Sequence, residues 1–505
     1  MTGVSPPGGL RYVLGVDLGT SECKVCLVTE IGEVVRVARA GYVTHAPRPL
    51  WAEQDPRDWA PAATAATRRL LAETGITARS VVGMALTSAA HIGVLLDAHR
   101  HPVRRAMLWN DQRSSREAAE LEREHGEEIL QQTYQAVSTT WTLPHLCWVR
   151  RNDPDAWART RRVALSKDYL AEWLVGSAAT DPATALSSQL YDATADRWSL
   201  ELCAMAGVTP AMLPPVRPAR ERIGGLTAEA AECLGLLPGT PVVVGTLDSA
   251  TELFAAGAVA AGQCLVRLAT AGGVQVVIRE PRPNRKLLTY PHVVEPLWYC
   301  QAGTNACATS VRWGARLVTG EADVPFAEWD AWAADTPVGA GGLLFHPYLT
   351  GERAPQWDPE LRASFVGASL DHGRGHFARA IYEGTAFSIR HAMSVLPEIE
   401  SSSGELAVVG GGTRSAVWVQ ILADVLGRPL VVAEGVDSAY GAALLGLAGL
   451  GLSDPAGGAA ATKARWRSIA PQSECAATYA DRYQAYVRVG EVLAPLYHQH
   501  WGGDA

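Results

Sequence analysis

Tyr12-Val13-Leu14-Gly15-Val16-Asp17-Leu18-Gly19-Thr20-Ser21 reads as a short apolar strand that reaches a carboxylate and breaks into a glycine turn carrying two hydroxyls. Lys24 to Thr29 and Glu33 to Ala38 follow as two more strands, with Ile31-Gly32 as the hairpin turn between them. The device recurs about 250 residues later. Cys264 to Leu268 is apolar, Ala269-Thr270-Ala271-Gly272-Gly273 is a turn of small residues, and Val274 to Ile278 is apolar again. Two copies of one device in a chain of 505 residues predict two domains on one plan with a cleft between them.

The intervening sequence alternates strand and helix patterns. Pro56 to Leu71 has helical periodicity, Val81 to Leu86 reads as a strand, Ser115 to Gln131 as a charged amphipathic helix, and Pro241 to Gly245 as a buried strand that delivers Asp248 just past its end. Later, Phe377 to Leu396 reads as a helix, Leu406 to Val409 as a strand running into Gly410-Gly411-Gly412, and Ser415 to Leu426 as the helix after it. Such alternation predicts α/β layers. The expected divisions are a disordered Pro/Gly-rich tail at 1–11, a first domain at 12–257 and a second at 258–505.

Composition excludes several classes. A net charge of −8 argues against a nucleic-acid surface, which needs clustered positive charge. Arg159 to Arg162 is read as a solvated helix end. Nine cysteines without framework spacing predict free thiols in a reducing compartment. Cys23 and Cys26 fall in a strand, where residues three apart face opposite ways and cannot share a metal. His372 and His376 lack a third ligand, so no zinc is expected there. The first eleven residues have no apolar segment of the signal-peptide kind. The longest apolar run, Ala439 to Leu452, is 14 residues with four glycines, too short to cross a bilayer. The expectation is a cytoplasmic protein with no membrane or nucleic-acid partner.

The turn Gly19-Thr20-Ser21 offers backbone N–H groups and hydroxyls to phosphate oxygens, and Asp17 beside it suits a hydrated magnesium ion. No Gly-x-x-x-x-Gly-Lys-Ser/Thr motif occurs, so a P-loop is excluded. Asp248 reads equally as a base at a strand end or as the N-cap of a helix from Ser249 to Ala256. Lys24 reads as a phosphate-side cation or as a solvated strand residue.

Taken together, Gly15 to Ser21, Leu95 to Ser114 (ending Leu108-Trp109-Asn110-Asp111-Gln112-Arg113-Ser114), Ser166 to Tyr169, Gly245 to Asp248, Leu268 to Gly272, Gly351 to Pro359, Glu383-Gly384 and Gly410 to Gly427 resemble the FGGY family of carbohydrate kinases, in its xylulokinase-like branch, along nearly the whole chain. The resemblance implies two ribonuclease H-like domains of the actin/hexokinase type around an interdomain catalytic cleft. It implies ATP and Mg2+ as cofactors, a small sugar as substrate, and a homodimer. It implies phosphorylation of a terminal hydroxyl of a pentulose, D-xylulose foremost, with D-ribulose, L-ribulose, a tetrulose or an erythritol-type polyol as alternatives. A catalytically inactive sugar sensor on the same fold is the rival of a different class.

Site roles follow from the same resemblance. Asp248 is implied as catalytic base and Asp17 as the magnesium-side carboxylate, acting through water. His91, Ala90, Trp109, Asp111 and Asp248 are implied on the sugar; Thr20, Ser21, Lys24, Thr270, Ala308, Gly410, Gly411 and Ser415 on ATP. Gly351 to Pro359 is read as a structural loop near the cleft. Two departures stand out. Family members carry Gln-Met where this chain has Ala89-Ala90 before His91, so the pocket is expected to be relaxed unless another segment, around Trp141, fills the space. Restoring Gln and Met is then expected to sharpen the preference for D-xylulose. Ala308 stands where relatives have glycine beside the nucleotide.

Overall fold

The computed structural model describes residues 10–321, 324–396, 399, 404–454 and 466–501. Residues 1–9 of the expected tail lie outside the described residues, while Arg11 is held by Glu30 at 2.6 Å.

The first sheet has the spatial order Arg222–Gly225, Pro241–Leu247, Val81–Ser88, Tyr12–Leu18, Glu22–Thr29, Val34–Gly41. The last three form an antiparallel meander, and Val81–Ser88 and Pro241–Leu247 add in parallel to Tyr12–Leu18. The second sheet repeats the plan. Cys264–Leu268, Gly272–Ile278 and Trp298–Thr304 form the meander, Leu288–Pro291 extends it, and Leu406–Val409 and Leu430–Val432 add in parallel on the other side. Arg467–Ile469 closes that edge antiparallel. The two strand–turn–strand devices of the sequence are thus the opening hairpins of two equivalent sheets.

Each sheet has its own outer core. Trp59–Thr74 covers the first, and Arg374–Met393 with Ala416–Leu426 covers the second. Between the sheets lies a third apolar cluster built on two helices, Asp248–Ala255 and Ser438–Gly449. The second helix holds most of the longest apolar run of the sequence. Its apolar run is too Gly-rich to stand alone as a helix, but here it is buried on every side, and packing supplies what propensity lacks. Its glycines admit the neighbours: a Cβ on Gly441 would lie 2.0 Å from the Thr251 carbonyl, and one on Gly446 2.8 Å from Val13. This helix comes late in the chain yet packs on strands of the first sheet.

None of the nine cysteines is in a disulfide. Cys23 packs in the first sheet's outer core and Cys26 in the intersheet cluster, on opposite faces as the strand period requires. His372 and His376 bond to nearby backbone, as does the loop's Glu352, whose carboxylate accepts from the N–H groups of Asn305 and Arg353 and from Ser388. Arg159 ends the short helix Pro154–Arg159, whereas Arg162 opens a strand and bonds Glu172 at 2.9 Å. Among the described residues no helix is long and apolar enough to cross a membrane.

Candidate active site

Three adjacent parallel strands of the first sheet end on one edge. Asp17 lies opposite Thr87, and Thr87 opposite Thr246. Asp17 sits at the end of the first strand, His91 in the turn after the second, and Asp248 just past the third. Loops and helix N-termini converge at such carboxyl ends, which is why ligands gather there. Gly245, at φ +76°, makes the last bend before Asp248, and a Cβ there would lie 1.6 Å from the Leu86 carbonyl, so no larger residue fits.

Asp17 is buried. Its Oδ2 accepts the Ser438 hydroxyl at 2.5 Å and faces Lys24 Nζ at 4.0 Å, while its Oδ1 has no hydrogen-bond partner among the described residues. Burial pushes this carboxyl up to about 7; Lys24 and the Ser438 hydroxyl oppose the shift, and the charges of Asp248 and Asp437 add to it. Lys24 follows from the hairpin register, which sets it directly across from Asp17, and it also pairs with Asp437 at 3.2 Å. Burial disfavours its charge, but the two aspartates outweigh burial and leave the ammonium above its ordinary range. Lys24 is therefore no solvated strand residue.

Asp248 opens its helix, with Oδ1 accepting from the Ser249 N–H at 2.6 Å. Burial raises its carboxyl, and Arg267, the Ser249 N–H and Lys24 pull it back. Arg267 arrives from the first strand of the second sheet; its Nε lies 3.2 Å from Oε2 of Glu252, one helical turn beyond Asp248, and its side chain is 40% exposed. The cluster therefore draws charge from both sheets.

The turn after Asp17 is braced from outside. Tyr42 donates its hydroxyl to the Gly19 carbonyl, Gln54 donates to the Thr20 carbonyl at 2.6 Å, and the Trp109 indole N–H donates to Thr20 Oγ1 at 3.1 Å. Ser21 is exposed at its tip. Asp111 differs from expectation: it is fully buried, and its two oxygens are taken by Arg113 and by the Ala52 N–H, so it supports the Trp109 segment and has no oxygen free for a sugar.

His91 has φ +70°, and its Nδ1 lies 2.8 Å from the Ser187 carbonyl. Nδ1 must donate there, which leaves Nε2 as an acceptor. Burial pushes the imidazolium down to about 4, so the ring is neutral at pH 7. The Trp141 ring stands edge-on to it at 4.4 Å, and Tyr290 of the second sheet places its hydroxyl 3.4 Å from Nε2. Ala90 packs into the same aromatic cluster, whereas Ala89 belongs to the first sheet's outer core. Trp141 and Tyr290 line His91 from two sides, and Trp141 stands where the sequence reading set a segment able to take up the space left by the two alanines.

Across the cleft, Thr270 sits exposed in its turn, and its carbonyl accepts from Cys307 and Thr309. Ala308 begins the helix Ala308–Thr319, and its N–H donates to the Ala269 carbonyl at 2.8 Å. Gly410 at φ +100° turns against the Leu268 carbonyl, and Gly411 beside it is open. Ser415 corrects another expectation. It is fully buried, donates to Asp330 Oδ1 at 2.5 Å and accepts from the Trp418 N–H at 2.9 Å. It is a helix N-cap that holds the glycine turn, with no hydroxyl turned toward a nucleotide.

Sequence reading missed Ser438, Arg267, Glu252, Tyr290 and Tyr299. Only Glu252 carried a local signal, being one turn from Asp248 on a predicted helix.

Two family models match the chain: FGGY family of carbohydrate kinases, N-terminal domain, over residues 12–255, and the C-terminal domain of that family over residues 266–450. The xylulose kinase of Lactococcus lactis subsp. lactis is 30% identical over 97% of this chain and 98% of its own. That of Escherichia coli K12 is 32% identical, covering 86% of this chain and 89% of its own. The crystal structure of xylulose kinase from Rhodospirillum rubrum superimposes with a TM-score of 0.87 at 32% identity, over 97% of this chain and 100% of that one.

Proposed function

Because the chain belongs to the FGGY family of carbohydrate kinases, we propose that it moves the γ-phosphoryl group of ATP onto a terminal hydroxyl of a pentulose, D-xylulose first. The observation that carries the reading is the convergence of Asp17, His91 and Asp248 on one edge of three adjacent parallel strands. The activities named for the relatives, at similar length and 30% identity or more, point to the same sugar.

In this reading Asp248 accepts the proton of the attacking hydroxyl. The sugar oxygen forms its bond to the γ-phosphorus as the bond from phosphorus to the β,γ-bridging oxygen breaks, and ADP leaves. Arg267 holds Asp248 toward its ionised, proton-accepting form against burial. His91 accepts a sugar hydroxyl at Nε2. The Gly19-Thr20-Ser21 turn and Lys24 take phosphate oxygens from the first domain, and the turns at Thr270, Ala308 and Gly410-Gly411 take the nucleotide from the second. Mg2+ suits the site: Asp17 Oδ1 is a buried acceptor without a donor among the described residues, fit for a water of a hydrated ion. When bound, the ion would neutralise charge on the phosphate oxygens.

The reading extends to the cytoplasm, where ATP is at hand and nine cysteines outside any disulfide stay reduced. It extends also to a homodimer, for which Val492 and Leu496, exposed one turn apart on the Ala476–Trp501 helix, offer an apolar stripe. Sedimentation equilibrium measures that pairing directly.

The test is a coupled ADP-release assay across D-xylulose, D-ribulose, L-ribulose, tetruloses and erythritol-type polyols, ranked by kcat/KM. D-xylulose is expected at the head. Another sugar at the head replaces it as substrate, and sugar binding without turnover on any of them makes the chain a sensor.

A further inference from the structure

We infer that Tyr290, supplied by the second sheet, is a sugar-contacting residue that reads substrate stereochemistry jointly with His91. The inference rests on the proposed sugar site at His91 and Asp248.

Tyr290 lies on the edge strand Leu288–Pro291, where the antiparallel register sets it across from Tyr299, with ring centroids 5.6 Å apart. The two tyrosines span the site. The Tyr290 hydroxyl is 3.4 Å from His91 Nε2, and the Tyr299 hydroxyl is 2.8 Å from Ser249 Oγ, beside the N–H that holds Asp248. Since His91 Nε2 is an acceptor, Tyr290 donates to it, but 3.4 Å is beyond the usual range for such a bond. A contact that long is readily exchanged. A sugar hydroxyl entering there donates to His91 Nε2 and accepts from Tyr290, satisfying both groups better than they satisfy each other.

Among the described residues, the other first-domain groups bonded to His91, Ser187 and Thr142, meet its backbone or its Nδ1 and not its Nε2. Ala89 and Ala90 carry one methyl each, and the Trp141 indole N–H is tied to the Ala136 carbonyl at 3.0 Å, so Trp141 presents only ring surface. Tyr290 is 2% exposed, and burial keeps its phenol protonated, so it donates or accepts across the working pH range. A hydroxyl of the wrong configuration leaves His91 and Tyr290 with a poor partner inside a buried site, and that is a strong basis for discrimination.

Tyr290→Phe removes one oxygen and keeps the ring. Against the ketose and polyol panel, kcat/KM for the best sugar is expected to fall by ~10–100-fold, chiefly through KM. The ratio between that sugar and its epimers should shrink by a similar factor, while KM for ATP stays within about twofold. Sugar binding is read separately from tryptophan emission, Trp141 being in contact with His91, and should weaken by the same factor whether or not turnover occurs. Unchanged sugar affinity and ranking overturn the inference. So does an equal loss in every parameter, ATP included, together with a lower Tm, which marks Tyr290 as a packing residue. Failure of the functional reading looks different: wild type then turns over none of the panel, and the binding arm still decides on Tyr290.

Discussion

Ser438 donates its hydroxyl to Asp17 Oδ2 at 2.5 Å, joining two residues 421 positions apart. Ser438 is the first residue of the helix wedged between the sheets, so the positive end of that helix also points at Asp17. Ser438→Ala removes a contact that favours the ionised carboxylate. Turnover at pH 7 is expected to fall ~10–100-fold, with the acid limb of the pH–rate profile moved upward so that the deficit narrows by pH 9. A deficit independent of pH would mean that Ser438 acts on geometry alone.

Asp248→Asn keeps the shape of the candidate base but cannot take a proton. Turnover should drop by ~10²–10⁴-fold with sugar KM largely kept. Wild-type turnover in this variant would move the base elsewhere, with Asp17 the next carboxylate to test.

Asp17 gives a stability prediction of defined sign. Its carboxyl lies at about 7 folded against an ordinary 3.8, so the folded state binds that proton more tightly than the unfolded state. The stability gained from this is full below the unfolded value and is lost as pH rises through the folded one. Asp17→Asn should therefore raise Tm at pH 8, by a free energy on the order of 1–4 kcal/mol, and give no gain at pH 3.5, while activity is lost. Thermal melts at the two pH values check it; a gain of equal size at both sinks the argument.

Restoring long side chains beside His91 now has a different expected outcome from the one the sequence suggests. Ala89 is 4% exposed inside the first sheet's outer core, and Ala90 abuts the cluster of Trp141, Tyr290 and Tyr299. Ala89→Gln with Ala90→Met should overpack both places, costing about 1–3 kcal/mol each, and should weaken sugar binding without sharpening selectivity. A double variant that keeps its Tm and gains preference for D-xylulose would falsify this packing argument.

Bound ligands should draw the two sheets together. The Thr20 turn and the Thr270 turn belong to different sheets, and phosphate oxygens held between them pull on both. Small-angle scattering should give a smaller radius of gyration with sugar and a nonhydrolysable nucleotide together than with neither. An unchanged envelope counts against closure.

What the sequence made legible was local. The twin hairpins, the carboxylates at strand ends and the glycine turn at Gly410 are each written in a few adjacent residues, where the strand period and turn chemistry apply. Ser415 was legible too, since a serine directly before a helical run is a capping signal, and that local rule outranked the assignment to the nucleotide. The residues that escaped are those whose neighbours lie hundreds of positions away. Tyr290 and Tyr299 look like any strand aromatics until the second sheet is set against His91 and Ser249. The Ser438–Gly449 helix has no amphipathic period because every face is buried, so its pattern names no partner.

That helix also ties the two halves of the chain to one another. Gly15 lies against it so closely that a Cβ there would meet the Ala439 carbonyl at 1.9 Å, and Gly83 and Gly449 continue the contact with the first sheet. The first half, cut at residue 257, would leave the inner face of its own sheet bare along Val13, Cys26 and Val28. An uncovered apolar sheet face of that kind invites aggregation. Synthesis from the ribosome therefore cannot finish the first domain when its last strand emerges; it must wait for nearly the whole of the second.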